Sequence, residues 1–233
     1  MKPGSVAFLL DVDNTLLDND RIEADIGRQL EHEFGSSGRD RYWKIFEDLR
    51  QELGYADYLG TVQRLRSSDL TEPRMLSLSA FLLDYPFAQR LYPAALDVVR
   101  HLGGLGQALI LSDGDAVFQP RKVERSGLWD AVAGRVMIYI RKELMLQTVV
   151  QRYPAAHYVM VDDKPPVLRA MKRALESRLT TVFVRQGHYA LQPEQDTDDW
   201  KPDVTIERIG TLLDWNSSTR SGLAGFAQPV RHV

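Results

Sequence analysis

Asp11 and Asp13 stand two positions apart, directly after the apolar run Val6, Ala7, Phe8, Leu9 and Leu10. Two carboxylates held that close repel each other, and an arrangement of hard oxygen donors suits a small divalent cation such as Mg²⁺. If the chain stays extended past Leu10 the two acids share a side; if it coils, Asp13 swings back over Asp11. Plainer uses exist. Asp and Asn after a strand form turns and helix caps. A DxDN stretch also opens an EF-hand calcium loop, but that loop needs Gly at its sixth position, Glu at its twelfth and a helix before it. This chain has Leu16 and Ile22 there, so the calcium-loop reading fails.

The elements needed to present such residues are legible further along. An apolar run closed by acids reads as a buried parallel strand with a reactive C-terminal end, the end where open α/β sheets bind ligands. Ala108–Leu111 is a second run, ending in Ser112, Asp113 and Gly114. Val136–Ile140 is another, followed by Arg141 and Lys142, and Tyr158–Val161 ends in Asp162 and Asp163. The strand ends therefore offer a carboxylate pair, a hydroxyl, a cation and a second carboxylate pair, in that order. From Tyr92 onward strands alternate with helices, expected at Ala94–Leu102, Gln119–Gly127, Lys142–Gln151 and Pro165–Ser177, with a last strand at Thr181–Val184. This spacing implies βαβ units and a parallel sheet covered by helices.

The four strand-end motifs in this order resemble those of the haloacid dehalogenase superfamily of phosphotransferases. DxDxT matches Asp11 to Thr15, the Ser after a hydrophobic strand matches Ser112, the Lys at a helix start is best matched by Lys142, and the acidic pair matches Asp162 and Asp163. Position 14 is Asn where many relatives have Gly, and the resemblance implies a role for its backbone alone. Arg141 lies beside Lys142, and Glu143 stands where relatives often have Pro. The resemblance implies an α/β fold, a Rossmann-like parallel sheet with helices on both faces and a helical cap inserted after the first strand. It further implies a Mg²⁺-dependent phosphatase of a small phosphorylated metabolite. Asp11 would be the nucleophile and form an aspartyl phosphate; Asp13 would be the general acid and base. Ser112, Asp113 and Lys142 would bind phosphate. Asp11, Asp13 and Asp163, assisted by Asp162, would hold the metal. A phosphomutase, a dehalogenase or a non-catalytic binding protein on the same scaffold are the alternatives; Asp13 speaks against the dehalogenase, since such relatives typically lack the second acid.

Composition is that of a soluble globular chain. It has 233 residues, 44% hydrophobic and 26% charged, with a formal net charge of −3. No excess of positive charge invites nucleic acid or an anionic membrane, so neither is an expected partner. The absence of cysteine excludes disulfide and thiolate chemistry. The N-terminal apolar run is too short for a signal peptide, no stretch approaches membrane-spanning length, and a cytoplasmic enzyme is expected. Residues 1–17 and 91–215 read as the core, 18–90 as the cap and 216–233 as a weakly ordered tail.

In the cap, Ile22, Ile26, Leu30 and Phe34 recur at helical spacing, as do Tyr42, Ile45, Phe46, Leu49 and Leu53. Further helices are expected around Tyr58–Leu65 and from Pro73 through Leu82. Gly35, Ser36, Ser37 and Gly38 predict a mobile loop between the first two, with Arg39, Arg41, Tyr42 and Trp43 next to it. Arg41 and Trp43 are accordingly the candidate specificity residues; the plainer alternative is an interhelical turn with Tyr42 in the bundle core. Gln119, Arg121 and Lys122 read as an exposed helix start, with an active-site role as the lesser alternative. His32, His101, His157, His188 and His232 share no ligand spacing and read as structural or surface residues, with contact between His188 and substrate as the lesser alternative.

Overall fold

A computed structural model describes residues 5–66, 73–191 and 200–216. Most of the tail read from Asn216 onward lies outside these residues. The strands are β1 (Val6–Leu10), β2 (Gln107–Asp113), β3 (Val136–Tyr139), β4 (His157–Asp162), β5 (Leu179–Val184) and β6 (Val204–Ile206). All pair in parallel in the order β3-β2-β1-β4-β5-β6. This order reverses at β1, the switch point where a crevice opens beyond the strand ends. Asp11 therefore leaves the sheet at its centre. The last strand, β6, was not anticipated: three residues after a polar segment carry too little hydrophobic pattern to stand out.

The helices are α1 (Asn19–Leu53), α2 (Tyr58–Leu65), α3 (Pro73–Asp84), α4 (Ala95–Leu105), α5 (Phe118–Arg125), α6 (Leu128–Ala131), α7 (Leu146–Arg152), α8 (Pro165–Leu175) and α9 (Gly187–Leu191). Successive residues of a strand face opposite ways, and β1 divides its apolar residues accordingly. Val6, Phe8 and Leu10 join a core with Val98 and Leu102 of α4 and Val123 of α5. Ala7 and Leu9 join another with Val149 of α7 and Leu168 and Met171 of α8. Every residue of β1, β4 and β5 is buried, as a sheet covered on both faces requires. No helix among the described residues is long and apolar enough to cross a membrane.

Three helices, α1 to α3, are inserted between β1 and α4. The outgoing and returning strands of chain run side by side: Leu17 bridges Leu91, Asp18 N–H donates to Arg90 O at 2.7 Å, and Tyr92 N–H donates to Leu16 O at 2.9 Å. The insert's apolar stripe is Ile22, Ile26 and Leu30, then Tyr42, Phe46 and Leu49, all buried. The expected mobile loop between them is not a loop. The helix breaks at Gly35 alone, whose φ of 71° and ψ of 179° favour a residue without a Cβ, and it resumes through Ser36, Ser37 and Gly38. The single break resets the helical phase, so both halves turn their stripes inward. Trp43, Phe46, Tyr58, Phe118 and Phe87 form a chain of ring contacts with centroids 4.8–5.6 Å apart, running from the insert onto α5. The insert thus shares one continuous apolar core with a face of the sheet.

Candidate active site

The segment after β1 coils. Asp11 N–H donates to Val161 O at 3.0 Å and keeps Asp11 in line with β4. The amides of Leu16 and Leu17 then both reach back to Val12 O at 2.9 Å. Asn14 takes the left-handed conformation, φ 60°, which Asn tolerates better than most residues. Its side chain has a function that the resemblance did not imply. Asn14 Oδ1 accepts the Asn19 and Asp20 amides at 3.0 and 3.2 Å, capping α1, and Nδ2 donates to Asp20 Oδ1 at 2.9 Å. Gly187, at φ +71°, lies so close that a Cβ there would sit 2.5 Å from the Asn14 Cβ.

Asp11, Asp162 and Asp163 are buried together, and each offers a carboxylate oxygen within 4.8 Å of the others. Lys142, buried at 1% exposure, places Nζ on Asp11 Oδ1 and 2.7 Å from Asp162 Oδ2. Asp113 fixes that lysine from behind, its Oδ1 accepting the Lys142 amide at 2.7 Å. Ser112 Oγ lies 3.4 Å from Asp11 Oδ1 and accepts from Gln119 Nε2 at 3.0 Å, which leaves its own proton to point at an oxyanion. Arg141, beside Lys142, is exposed and pairs with Glu143 at 2.9 Å. Lys142, not Arg141, is therefore the cation beside Asp11.

The electrostatics follow from crowding. Burial, then the Asp162 charge, pushes the Asp163 carboxyl up to about 9. Burial also raises Asp162, with Lys142 opposing it, and raises Asp113 to about 6 against the same lysine. Burial pulls Lys142 down, but Asp11 and Asp162 outweigh it and hold the ammonium above its usual range. Lys164 behaves likewise, lifted by Asp11 and Asp163 against its own burial. Asp11 Oδ2 and both oxygens of Asp163 are buried with no hydrogen-bond partner among the described residues. Such oxygens cost free energy unless something satisfies them, and three carboxylates with an oxygen each within 4.8 Å of the others fit a divalent cation of the Mg²⁺ class.

Asp13 is not part of that group. Its carboxylate is gripped by Lys122, whose Nζ lies 2.9 Å from both Oδ1 and Oδ2 and 2.8 Å from Asn19 Oδ1. Two expectations are corrected here. Asp13 does not offer its side chain to the acidic cluster, because the coil turns it onto Lys122 of α5. Lys122 and Gln119 are not an exposed helix start but fully buried, while Arg121 bonds the Leu83 carbonyl. The signal for this was present: the inward stripe of α5 is Phe118, Gln119, Lys122 and Val123, so two polar residues occupy core-facing positions.

A cavity of about 280 Å³ lies between the insert and the strand ends. Asp13, Asp113, Gly114 and Lys164 line it from the sheet side; Glu23, Phe46, Arg50, Tyr55 and Tyr58 line it from the insert. Arg50 reaches across to the Tyr189 hydroxyl. His188, read from sequence as structural or surface, lines the cavity too; its backbone N–H donates to Asp20 Oδ2 at 2.8 Å and its Nδ1 meets Oδ1. Arg41 and Trp43 do not face it. Arg41 is exposed and borders a separate hollow with Phe34 and Met75, and Trp43 borders another with Gly27 and Arg39. Tyr42 is in the bundle core, its hydroxyl donating to Tyr58 O at 3.1 Å. Without the predicted loop, Arg41 and Trp43 stay on the insert beside other hollows, and Phe46 and Arg50, further along the same helix, line the cavity instead.

No family model and no curated protein matches the sequence. Among solved structures, the chain is similar to a haloacid dehalogenase-like hydrolase of Burkholderia xenovorans LB400, with 58% identity, 92% of this chain and 100% of that one covered, and a TM-score of 0.85. The HAD-hydrolase YfnB of Bacillus subtilis, bound to magnesium, matches at 18% identity over 89% of this chain and 96% of its own, with a TM-score of 0.62. The L-2-haloacid dehalogenase of Xanthobacter autotrophicus, with chloropropionic acid covalently bound, matches at 18% identity over the same shares, with a TM-score of 0.57. The last two likenesses concern the fold alone.

Proposed function

The chain belongs to the haloacid dehalogenase-like hydrolases, and from that premise we propose that it is a Mg²⁺-dependent phosphatase of a small phosphorylated metabolite. The observation that carries this reading is the buried set of oxygens without partners on Asp11 and Asp163, beside a second acid, Asp13, that lines the cavity. A haloacid substrate gives those empty oxygens nothing to bind. A phosphate ester brought in with a divalent cation does.

Asp11, Asp162 and Asp163 would hold Mg²⁺. Bound there, the ion would offset the repulsion between the nucleophile and the phosphoryl oxygens and polarise the phosphorus. Asp11, oriented by Lys142 and by its bond to the β4 backbone, attacks phosphorus to give an aspartyl phosphate. Ser112 Oγ, freed to donate by Gln119, and Lys142 Nζ take the non-bridging oxygens, where transition-state charge collects. Asp13 hands a proton to the departing alkoxide and then takes one from the water that hydrolyses the intermediate. The cavity of about 280 Å³ stands at the small end for ligand sites and suits a compact leaving group.

A hydrolysis screen over phosphorylated metabolites and 2-chloropropionate, each with Mg²⁺ and with chelator, tests the proposal. Phosphate release that requires Mg²⁺ is expected. Halide release, or phosphate release undiminished in chelator, would overturn it.

A further inference from the structure

The proposed reaction gives Lys122 no task, yet few residues in the molecule are so fully committed. It is fully buried on α5, and its ammonium meets three oxygens at 2.8–2.9 Å: both carboxylate oxygens of Asp13 and Oδ1 of Asn19. The rings of Tyr58 and Phe118 flank it, with centroids 5.3 and 5.4 Å from Nζ, where a cation is attracted to the ring faces. No other side-chain hydrogen bond to the Asp13 carboxylate is found among the described residues, and its neighbours on the coil are held through backbone bonds and Asn14. Lys122 thus sets the orientation of that carboxylate.

The third contact leads elsewhere. Asn19 is the first residue of α1, the start of the insert. Its Nδ2 donates to Glu23 Oε1 at 3.1 Å and to the Tyr58 hydroxyl at 3.3 Å, and that hydroxyl donates to Glu23 Oε1 at 2.8 Å. Glu23 and Tyr58 both line the cavity from the insert side. One lysine from the sheet domain therefore ties Asp13 to the helices that roof the site.

We infer that Lys122 is a positioning residue for proton transfer: it holds the Asp13 carboxylate toward the cavity, and through Asn19 and Tyr58 it makes that orientation depend on the insert being seated over the sheet. The inference rests on the phosphatase reading, in which Asp13 transfers the proton. A purely structural lysine would affect all substrates alike. A lysine that acts through Asp13 affects those whose leaving group needs a proton, and affects nothing further once Asp13 is gone.

The test compares the parent, Lys122→Met, Lys122→Arg, Asp13→Asn and the double variant Asp13→Asn/Lys122→Met. The probes are p-nitrophenyl phosphate, whose leaving group needs little help, and glycerol 2-phosphate, whose alkoxide does. Lys122→Met is expected to lose roughly 10-fold or more beyond its loss on the nitrophenyl ester when it acts on glycerol 2-phosphate. Lys122→Arg recovers part of that loss, and the double variant matches Asp13→Asn within about twofold. Equal losses on both esters, or losses that multiply in the double variant, overturn the inference. A crystal structure of Lys122→Met gives a readout free of catalysis: the Asp13 carboxylate is expected to leave its position, and finding it unmoved overturns the inference. If the parent cleaves neither ester, the kinetic comparison moves to the best alkyl phosphate of the metabolite screen, whose failure on every phosphate ester would sink the phosphatase reading, and the crystal structure still decides whether Lys122 fixes Asp13. Should Lys122→Met not fold, Asn19→Ala removes only the insert's link and is expected to show the same split at smaller size; no split there overturns the tie to the insert.

Discussion

Two groups of carboxylates in this molecule are treated in opposite ways. In one, Asp11, Asp162 and Asp163 are buried together, share the Lys142 ammonium, and leave three oxygens without a hydrogen-bond partner among the described residues. In the other, where α5 meets the insert, Asp13 has both oxygens on Lys122, and Glu23 accepts from Asn19 and Tyr58. The first side is deficient in hydrogen-bond donors; the second is saturated. Identical residue types two positions apart thus meet different neighbours, which in the proposed reaction suits Asp11 to attack beside a cation and Asp13, already held, to proton transfer. The difference arises in the coil after β1, where the left-handed Asn14 turns the chain and sends Asp13 toward α5.

The largest effect expected from this asymmetry is at the nucleophile. Asp11→Asn keeps the shape and removes the attacking oxygen, so kcat on any phosphate ester should fall by about 10³-fold or more. Activity near the parent's in the folded variant would mean that the deficient side is not where bonds are made. Asp13→Asn should be selective, losing on the order of 10²-fold more on glycerol 2-phosphate than on p-nitrophenyl phosphate. Equal losses would erase the distinction between the two acids.

A third effect concerns stability. The Asp163 carboxyl, pushed up to about 9 from an ordinary 3.8, keeps its proton in the folded metal-free protein where the unfolded chain has lost it. The stability that this contributes is complete below the unfolded value and is lost as pH rises toward 9. In chelator, the parent should therefore lose stability toward pH 9 more steeply than Asp163→Asn, which should end about 1–3 kcal/mol more stable there. Mg²⁺ should reverse the ranking, raising the parent's Tm and leaving the variant's unchanged, and its grip should tighten with pH as it displaces the proton. Parallel pH curves for the two proteins, read by thermal denaturation, would remove the deficient side from the comparison.

What the sequence made legible follows the same division. Strand ends were readable because continuous apolar runs closed by Asp, Ser or Lys have few other uses, and Asp11, Ser112, Lys142, Asp162 and Asp163 come together as their positions implied. The saturated side was opaque. Lys122 and Gln119 are polar residues in an inward stripe, and a stripe read for apolar residues passes over them. Asn14 matters through a side chain whose partners, Asn19 and Asp20, are set by a turn that no local pattern announces. In the insert, the two glycines suggested a loop. Gly35 alone breaks the helix, so Arg41 and Trp43 lie along the insert away from the cavity and Phe46 and Arg50 meet it instead. Which cap residue faces the cavity depends on helical phase after that break, and phase is not readable from composition.

The smallest expected effect follows from that phase. Arg50 lies near the C-terminal end of α1, 43% exposed, beside Gly54, whose left-handed conformation ends the helix. Its guanidinium bonds the Tyr189 hydroxyl and lies 5.9 Å from that ring's centroid, while Lys164 Nζ lies 5.1 Å from the same ring. Two cations on one ring at the cavity mouth would attract an anionic group on the part of the substrate remote from phosphorus. Being exposed, such a contact is weak; losing it costs about 1 kcal/mol, or roughly a fivefold rise in KM. Arg50→Ala should show that rise for an anionic substrate with kcat nearly unchanged, and little change for p-nitrophenyl phosphate, whose leaving group carries no second charge. Arg41→Ala, on the far side of the same helix, should match the parent on both. A KM shift in the Arg41 variant and none in the Arg50 variant would show that the insert rearranges on binding, so that the helical side of the cavity seen here is not the side that meets substrate.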